Sequence, residues 1–421
     1  MLEYTLKNGI RLVAEKLPHL HSVCMGVWVN VGSGNEQPQE NGLSHFIEHL
    51  VFKGTASRSA RDIAEEMDDI GAQLNAFTSK NCTCYYVRAL DKDLDKGLDI
   101  LADIVYRPSF KEEDIDTERG VVLEEIAMCN DNMEDIIFNL SAKAVYEGSL
   151  SMPILGTHEL ISAYQREDIL RYWKRHYSPG NIVLSLVGNF DEKELIQKVE
   201  ELFGSCPNAN FALQPFKNSL RLHNIAMDKD IEQSNIILSY PGFELGNTYD
   251  YALNIVNNIL GGGMSSRIVQ KVREELGLAY SVYSYVNSDK EVGTLSIYAG
   301  TNPKTARLVV DELRREVEKI REEGIREKEF LASKAQLLSS LEFGLESTSS
   351  RMSRLGRGML FLNSVKSVEE ILERIEKVSM EDIKYVLNHC FLREPSISIL
   401  APNAKAVLAE IEQEKNVRYH N

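Results

Sequence analysis

The sequence lacks the long apolar segments that would place a chain in a membrane, and its first residues show no pattern typical of a leader. No run of eighteen or more apolar residues occurs in its 421 residues, whereas a helix needs about twenty to cross a bilayer. Residues 1–9 show no basic segment followed by an apolar one, so we expect neither a signal peptide nor a transit peptide. A cytoplasmic protein without a membrane span is therefore expected.

Metal-binding cysteine pairs and positive charge are also scarce. The six cysteines never occur with C-x-x-C spacing, and Cys82 and Cys84 lie in a strand-like segment where we expect buried, reduced thiols rather than a second metal site. The formal net charge of −16 argues against nucleic acid as a partner, because nucleic-acid-binding surfaces need clustered lysine and arginine. A basic substrate would suit this charge, although solvated helical faces explain most of the acidic residues equally well.

The length and the internal similarity of the chain indicate two related halves. A helix and strand that begin at Arg166 return in the same order at Met380, and residues 27–31 similarly correspond to residues 236–240. We expect an α+β fold with two homologous domains, each a mostly antiparallel sheet packed against helices. The expected boundaries are an N-terminal domain at 1–207, an interdomain linker at 208–232 and a C-terminal domain at 233–421.

Residues 45–49 read His-Phe-Ile-Glu-His, a pattern that fits a catalytic zinc site on a helix. In a helix, His45 and His49 lie one turn apart on one face, with Glu48 beside them. Two neutral imidazoles can fill two tetrahedral positions of zinc, while a carboxylate that does not bind the metal can take a proton from water. The order H-x-x-E-H is the inverzincin motif. The alternative is a surface helix with two solvated histidines.

A catalytic zinc also needs a third protein ligand, and residues 118–126 supply the best candidates. Glu118 and Glu125 are seven positions apart and share one helical face, whereas Glu124 is rotated away. Glu125 follows His49 by 76 positions.

The second half of the chain keeps a similar helix without these ligands. When the halves are aligned on the glycines that follow, the positions of His45, Glu48 and His49 fall opposite three asparagines. These are Asn254, Asn257 and Asn258. We therefore expect one half to carry the metal and the other half to have a different task.

This combination resembles the pitrilysin/insulinase family of zinc metallopeptidases, most closely the short-chain branch that includes the β subunit of the mitochondrial processing peptidase. The resemblance covers nearly the whole chain, including the duplicated halves. It implies that His45, His49 and Glu125 bind one Zn²⁺ per chain, with Mn²⁺ or Co²⁺ as possible substitutes. It further implies that Glu48 is the general base and that Glu118 supports the site without binding the metal.

Two further segments match this family. Residues 69–79 resemble its substrate-binding edge strand, whose main chain pairs with an extended peptide; Asn75, Ala76 and Phe77 would contact substrate, with Phe77 facing the cleft. Residues 272–280 resemble its Arg-x6-Tyr element, so Arg273 and Tyr280 would stabilise the developing oxyanion. Without the resemblance, the first segment is equally an ordinary hairpin strand, and the second contains one exposed charge and one strand aromatic.

The sequence thus predicts a zinc-dependent endopeptidase that cleaves extended or unfolded peptides inside a clamshell chamber. By resemblance, two chains close face to face, and Arg273 and Tyr280 complete the site of the partner chain, so a homodimer with composite active sites is expected. Two alternatives remain. One is a non-catalytic scaffold subunit of a processing complex, which predicts a degraded metal motif; the other is a metal-dependent hydrolase of a small molecule, which predicts no cleavage of peptides.

Overall fold

A computed structural model describes residues 1–205 and 218–418, in which strands and helices alternate along the chain. The strands are β1 (Leu2–Thr5), β2 (Arg11–Lys16), β3 (Ser22–Val29), β4 (Gln73–Thr78), β5 (Thr83–Leu90), β6 (Tyr146–Glu147), β7 (Ile182–Gly188), β8 (Ser219–Leu220), β9 (Ile225–Asp228), β10 (Ser234–Pro241), β11 (Ala279–Ser288), β12 (Gly293–Thr301) and β13 (Ser396–Ala401). The helices are α1 (Leu43–Leu50), α2 (Ala60–Asp69), α3 (Leu94–Tyr106), α4 (Glu112–Asp131), α5 (Met133–Val145), α6 (His158–Ala163), α7 (Arg166–His176), α8 (Glu192–Phe203), α9 (Asp250–Gly261), α10 (Ala306–Glu323), α11 (Glu327–Leu345), α12 (Thr348–Leu362), α13 (Val368–Lys377), α14 (Met380–Phe391) and α15 (Ala404–Arg418). No helix in these ranges is long and apolar enough to cross a membrane.

The chain divides into two compact units, each built around one sheet. Unit 1 takes the described residues of 1–127, 152–216 and 341–366, and unit 2 takes those of 128–151, 217–340 and 367–421. This division differs from the boundaries expected from sequence, because residues 128–151 pack with the second unit and residues 341–366 with the first.

The sheet of unit 1 has the strand order β1-β2-β7-β3-β5-β4. Every neighbouring pair is antiparallel except β2 and β7, which are parallel. The strand β3 lies between β7 and β5, and seven of its eight residues are buried, as expected for an interior strand covered on both faces. At one edge of this sheet, β4 pairs with β5, and its other side ends the sheet.

The sheet of unit 2 repeats this arrangement in the order β11-β12-β10-β13-β9. Read from β4 and from β11, corresponding strands come in the same order in the two sheets. The pair β13 and β9 is parallel, like β7 and β2. The predicted α+β class, the duplication and the mostly antiparallel sheets are confirmed.

Two regions singled out in the sequence are placed as follows. The predicted linker lies partly outside the described residues, at 208–217, and residues 225–228 within its remainder form the edge strand β9. The side chains of Cys82 and Cys84 are buried in unit 1, as expected.

The helix α12 covers one face of the unit 1 sheet and contacts β2, β3 and β7. It approaches closely because it has a glycine at the contact: a Cβ at Gly356 would lie 2.1 Å from Nε1 of Trp28. That indole nitrogen donates a hydrogen bond to Oγ of Ser185 at 2.8 Å. In unit 2, the helix α5 makes the corresponding contact with β10 and β13. Each half of the chain therefore contributes one helix to the unit formed mainly by the other half.

Candidate metal centre and active site

The helix α1 presents one face to the core of unit 1 and the other to the candidate site. Its buried apolar side chains are Leu43, Phe46, Ile47 and Leu50. This is the face that their spacing predicts. His45, Glu48 and His49 lie on the remaining surface of the helix, where His45 is the most enclosed, with 7% of its surface exposed.

The start of α1 is fixed by a glycine and by a buried carboxylate. Gly42 precedes the helix with φ = 95°, a left-handed conformation that glycine adopts without strain. Glu36 accepts hydrogen bonds from the main-chain N–H groups of Gly42 and Ser44, both at 2.8 Å, and a negative charge is favourable at a helix N-terminus. Burial raises the pKa of Glu36 to about 7. These contacts fix the position of the helix that carries the candidate ligands.

Three side chains bring their donor atoms together at the exposed end of the site. Oε2 of Glu125, on α4, lies 3.7 Å from Nε2 of His45 and 3.5 Å from Nε2 of His49. Tetrahedral zinc with bonds of about 2.0 to 2.1 Å requires ligand atoms roughly 3.3 to 3.5 Å apart. Among residues 1–205 and 218–418, these three form the one group of histidine, cysteine and acidic side chains spaced to hold a metal ion. The donors are of the kinds that zinc binds, and the two separations from Glu125 lie close to the tetrahedral spacing.

The pKa values of His45 and His49 are shifted in opposite directions. Burial, and then the charge of His49, lower the pKa of His45 to about 3, so its imidazole is neutral and available as a ligand near pH 7. For His49, burial acts to lower the pKa, but the hydrogen bond with Glu118 and the charges of Glu125 and Glu118 outweigh it and raise the pKa. Metal binding at His49 therefore competes with protonation of its imidazole.

Glu118 orients His49. Its Oε1 lies 2.8 Å from Nδ1 of His49, and because a carboxylate can only accept, Nδ1 carries the proton and Nε2 faces Glu125 with its lone pair. Lys53 contacts the other oxygen of Glu118. Burial acts to raise the pKa of Glu118, but the bonds from His49 and Lys53 outweigh it and lower the pKa, which keeps this group an acceptor.

Glu48 projects from α1 beside the three candidate ligands. Oγ1 of Thr78, at the end of β4, donates a hydrogen bond to its Oε2 at 2.5 Å. Burial raises the pKa of Glu48, while the bond from Thr78 and the charge of His49 act in the opposite direction. A partly buried carboxylate with a raised pKa, close to a metal site, is suited to proton transfer.

The predicted substrate residues lie on β4, the edge strand of unit 1. Successive side chains of a strand alternate between its faces, so Ala76 shares a face with Thr78 while Asn75 and Phe77 lie on the other. Asn75 accepts a hydrogen bond at Oδ1 from the N–H of Ala76 at 2.8 Å. The ring of Phe77 is 37% exposed and packs edge-on against Trp28 at 5.8 Å. The Phe77 ring thus lies on the face of β4 opposite to the contact between Thr78 and Glu48. Of Phe77, the main chain rather than the ring suits the substrate contact expected of it.

Arg273 and Tyr280 form a preassembled pair in unit 2. Arg273 lies on a π-helix, Val269–Glu275, a rare structure that is frequent at functional sites, and Gly277 with φ = 59° turns the chain into β11. The guanidinium carbon of Arg273 lies 5.5 Å from the ring centroid of Tyr280. The tyrosine is 81% exposed, so its hydroxyl is accessible to a ligand.

The corresponding helix of unit 2, α9, has no metal-binding face. Asn254 donates to the carbonyl oxygen of Asp250 at 2.8 Å, and Asn258 donates to Oε1 of Gln336, on α11, at 3.1 Å. Asn254 thus bonds within its own helix and Asn258 bonds to α11, and neither belongs to the group of side chains spaced to hold a metal ion.

Four residues that contribute to the geometry were not identified from the sequence. These are Glu36, Lys53, Thr78 and Arg267, the last of which makes a two-pronged ion pair with Glu329 next to the π-helix. The sequence contained one usable signal: Thr78 lies within residues 69–79, the segment that resembles the substrate strand. The other three make contacts that depend on the folded chain.

Both halves of the chain match models of the same protein family. Residues 11–158 match the family model described as insulinase (peptidase family M16), and residues 163–337 match the model described as peptidase M16 inactive domain. Two similar proteins are named uncharacterized zinc proteases. The one from Bacillus subtilis (strain 168) is 40% identical over 95% of this chain and 98% of its own length, and the one from Streptomyces coelicolor is 37% identical over 94% and 89%.

Two solved structures have the same fold. A protease from Helicobacter pylori superposes with a TM-score of 0.89 at 22% identity, covering 95% of this chain and 98% of that chain. A structure described as the peptidase M16 inactive domain from Pseudomonas fluorescens superposes with a TM-score of 0.89 at 18% identity, covering 95% and 97%. At these identities the likeness shows the fold alone.

Proposed function

Because the chain belongs to the insulinase family, peptidase family M16, we propose that it is a zinc-dependent endopeptidase that cleaves extended or unfolded peptides. Metal-dependent peptide hydrolysis follows from the family. The observation that supports a working site in this chain is the meeting of His45, His49 and Glu125 at 3.5 to 3.7 Å, with Glu48 beside them.

The three donor residues would hold one zinc ion per chain, and Mn²⁺ or Co²⁺ are possible substitutes. When bound, zinc supplies a Lewis acid that lowers the pKa of water and polarises a carbonyl group. Glu118 keeps the lone pair of His49 directed at the same point as that of His45.

The chain's own residues divide the remaining work. Substrate adds as an extended strand to the free edge of β4, where alternate residues of the segment that contains Asn75, Ala76 and Phe77 offer main-chain partners. Glu48 accepts the proton of the attacking water and then delivers it to the nitrogen of the leaving amine, so the carboxylate is regenerated at each turnover.

Arg273 and Tyr280 donate to the carbonyl oxygen as negative charge develops on it. We propose that they do so across a homodimer, in which each chain supplies this pair to the site of its partner and the two chains enclose a clamshell chamber. An accessible tyrosine already stacked against an arginine suits such a role, since little ordering is then needed on assembly.

The test is hydrolysis of a quenched peptide by zinc-loaded protein and by its Glu48→Gln variant. We expect the variant to lose about 10²- to 10⁴-fold in rate, the range for one acid–base group, while its zinc content is unchanged. Glu124→Gln, a change at an exposed glutamate of the same helix as Glu125, is the matched control and should leave the rate unchanged.

Two results would count against this function. Undiminished cleavage by zinc-loaded Glu48→Gln protein would remove Glu48 as the base. A wild-type protein that binds zinc but cleaves only small molecules, or nothing, would favour a small-molecule hydrolase or a scaffold subunit instead.

A further inference from the structure

We propose that Thr78 is the positioning residue for Glu48, and that it links the strand to which substrate adds with the group that transfers the proton. This inference rests on the proposed function, because it assigns Thr78 a role through Glu48. It rests on two hydrogen bonds, in which the hydroxyls of Thr78 and Thr83 each donate their single proton to a different acceptor.

The direction of the Thr78 bond follows from its neighbours. Thr83, the cross-strand partner of Thr78, donates its hydroxyl proton to the carbonyl oxygen of Val31 at 3.0 Å. The hydroxyl of Thr78 has one proton, and it donates that proton to Oε2 of Glu48 at 2.5 Å. Its contact with the hydroxyl of Thr83 is longer, at 3.4 Å. The Thr78 hydroxyl is thus a committed donor to Glu48.

The main chain at Thr78 is held on both sides. Thr78 pairs with Thr83 in the ladder between β4 and β5, and the next residue, Ser79, closes the turn by donating its N–H to the carbonyl oxygen of Cys82 at 2.8 Å. The same Ser79 accepts at its carbonyl oxygen from the N–H of Ser33 at 3.1 Å. A donor fixed in this way can hold a carboxylate in one rotamer.

Holding one oxygen of Glu48 defines the task of the other. Thr78 engages Oε2, which leaves Oε1 to exchange the proton with water and amine. Because Thr78 is the last residue of β4, a peptide paired with that strand and the hydroxyl that holds the Glu48 carboxylate lie on the same strand. Thr78 would therefore align the carboxylate, which α1 carries, with the peptide on β4.

The first test compares Thr78→Val, which keeps the shape and removes the hydroxyl, with Thr78→Ser, which keeps the hydroxyl. For Thr78→Val we expect kcat to fall about 10- to 100-fold, the scale of one hydrogen bond to a charged group, with KM within about twofold of wild type because strand pairing is intact. Thr78→Ser should retain kcat within about threefold. Thr5→Val is the matched control, since Thr5 ends β1 at the opposite edge of the same sheet.

The second test reads the contact without using catalysis. The unfolding midpoints of Thr78→Val, Glu48→Ala and the double variant form a cycle, in which alanine removes the acceptor that glutamine would keep. If the hydroxyl acts through Glu48, the shift caused by Thr78→Val should shrink markedly in the Glu48→Ala background. Shifts that simply add would overturn the proposal.

The outcomes separate this inference from the proposed function. Wild-type cleavage that is lost in Glu48→Gln but unaffected by Thr78→Val would overturn the role of Thr78 alone. Equal losses in Thr78→Val and Thr78→Ser, or a change confined to KM, would also overturn it. Failure of the zinc-loaded wild type to cleave any peptide would overturn the proposed function, and the unfolding cycle would still decide whether Thr78 holds Glu48.

Discussion

Glu118 contacts His49 on the opposite side of the imidazole from Glu125: its Oε1 lies 2.8 Å from Nδ1 of His49, whereas Nε2 of His49 lies 3.5 Å from Oε2 of Glu125. Only 4% of the Glu118 side chain is exposed, so water does not compete effectively for this contact. The second oxygen of Glu118 is occupied by Lys53. The buried Glu118 carboxylate is thus engaged by His49 at one oxygen and by Lys53 at the other.

Removing this carboxylate should weaken zinc binding while all three ligands remain. For Glu118→Ala we expect zinc affinity to fall about 10- to 100-fold, the usual effect of losing the partner of a ligating histidine. Competition with a chromophoric chelator measures the affinity. Glu124→Ala, on an exposed face of the same helix, is the control, and an equal loss in both variants would contradict the orienting role.

The close approach of α12 to its sheet makes a prediction about stability. Gly356→Ala places a methyl group 2.1 Å from Nε1 of Trp28 and disturbs its hydrogen bond to Ser185. We expect unit 1 to lose about 1 to 3 kcal/mol, as overpacked cores do, seen as a lower unfolding midpoint by circular dichroism.

A second glycine-to-alanine change in a helix provides the comparison. A Cβ at Gly344, in α11, would have no neighbour within 4 Å, so Gly344→Ala should be neutral or gain a few tenths to about 1 kcal/mol from helix propensity. If both variants lowered the midpoint equally, the contact with Trp28 would not be the cause.

The buried His176 should make the protein less stable in acid. Burial, and then the charge of Arg175, lower the pKa of His176 to about 3, and its Nε2 accepts a hydrogen bond from Nε of Arg175 at 3.0 Å. The unfolded state takes up the proton near pH 6.5 and the folded state only near pH 3. The free energy of unfolding therefore falls as pH drops through this interval, by up to roughly 5 kcal/mol.

Denaturant unfolding of wild type and His176→Gln at several pH values between 7 and 4 tests this expectation. The variant should lose less stability over this interval than wild type does. His21→Gln, at a side chain that is 92% exposed, controls for the loss of one histidine. Parallel curves for wild type and His176→Gln would show that His176 does not contribute to the acid sensitivity.

The sequence predicted those features that depend on spacing along one element. His45 and His49 are one helical turn apart, so their common face follows from the helix period. Glu125 is different, because periodicity alone left Glu118 and Glu125 as equal candidates and only the family pattern separated their roles. In the structure, Glu125 approaches the Nε2 atoms of both histidines while Glu118 lies behind one of them at Nδ1.

Contacts between elements could not be predicted in this way. The hydroxyl of Thr78 reaches Glu48 across 30 positions, and nothing in either local sequence specifies the other partner. The exchange of α5 and α12 between the units is similar, since an apolar helical face indicates burial but not the sheet on which it will pack. The predicted division at residues 207 and 233 differed from the compact units for this reason.

The proposed homodimer makes a prediction that neither single variant tests alone. Glu48→Gln removes the base from one half of the site, and Tyr280→Phe removes a donor from the other half, each with a loss of about 10²-fold or more. If each chain supplies Tyr280 to its partner, mixing the two inactive proteins creates heterodimers in which one site is intact and the other is doubly impaired. Peptide cleavage should then rise well above the sum of the separate variants.

The proportion of heterodimers in the mixture predicts how much activity should be recovered. For freely exchanging dimers at equal concentrations, about half are heterodimers, each with one intact site of its two, so activity should approach about one quarter of that of wild type. Native mass spectrometry of the same mixture shows whether heterodimers have formed. Heterodimers without recovered activity would mean that Tyr280 does not act on the partner's site, and sites confined to single chains would then be the better description.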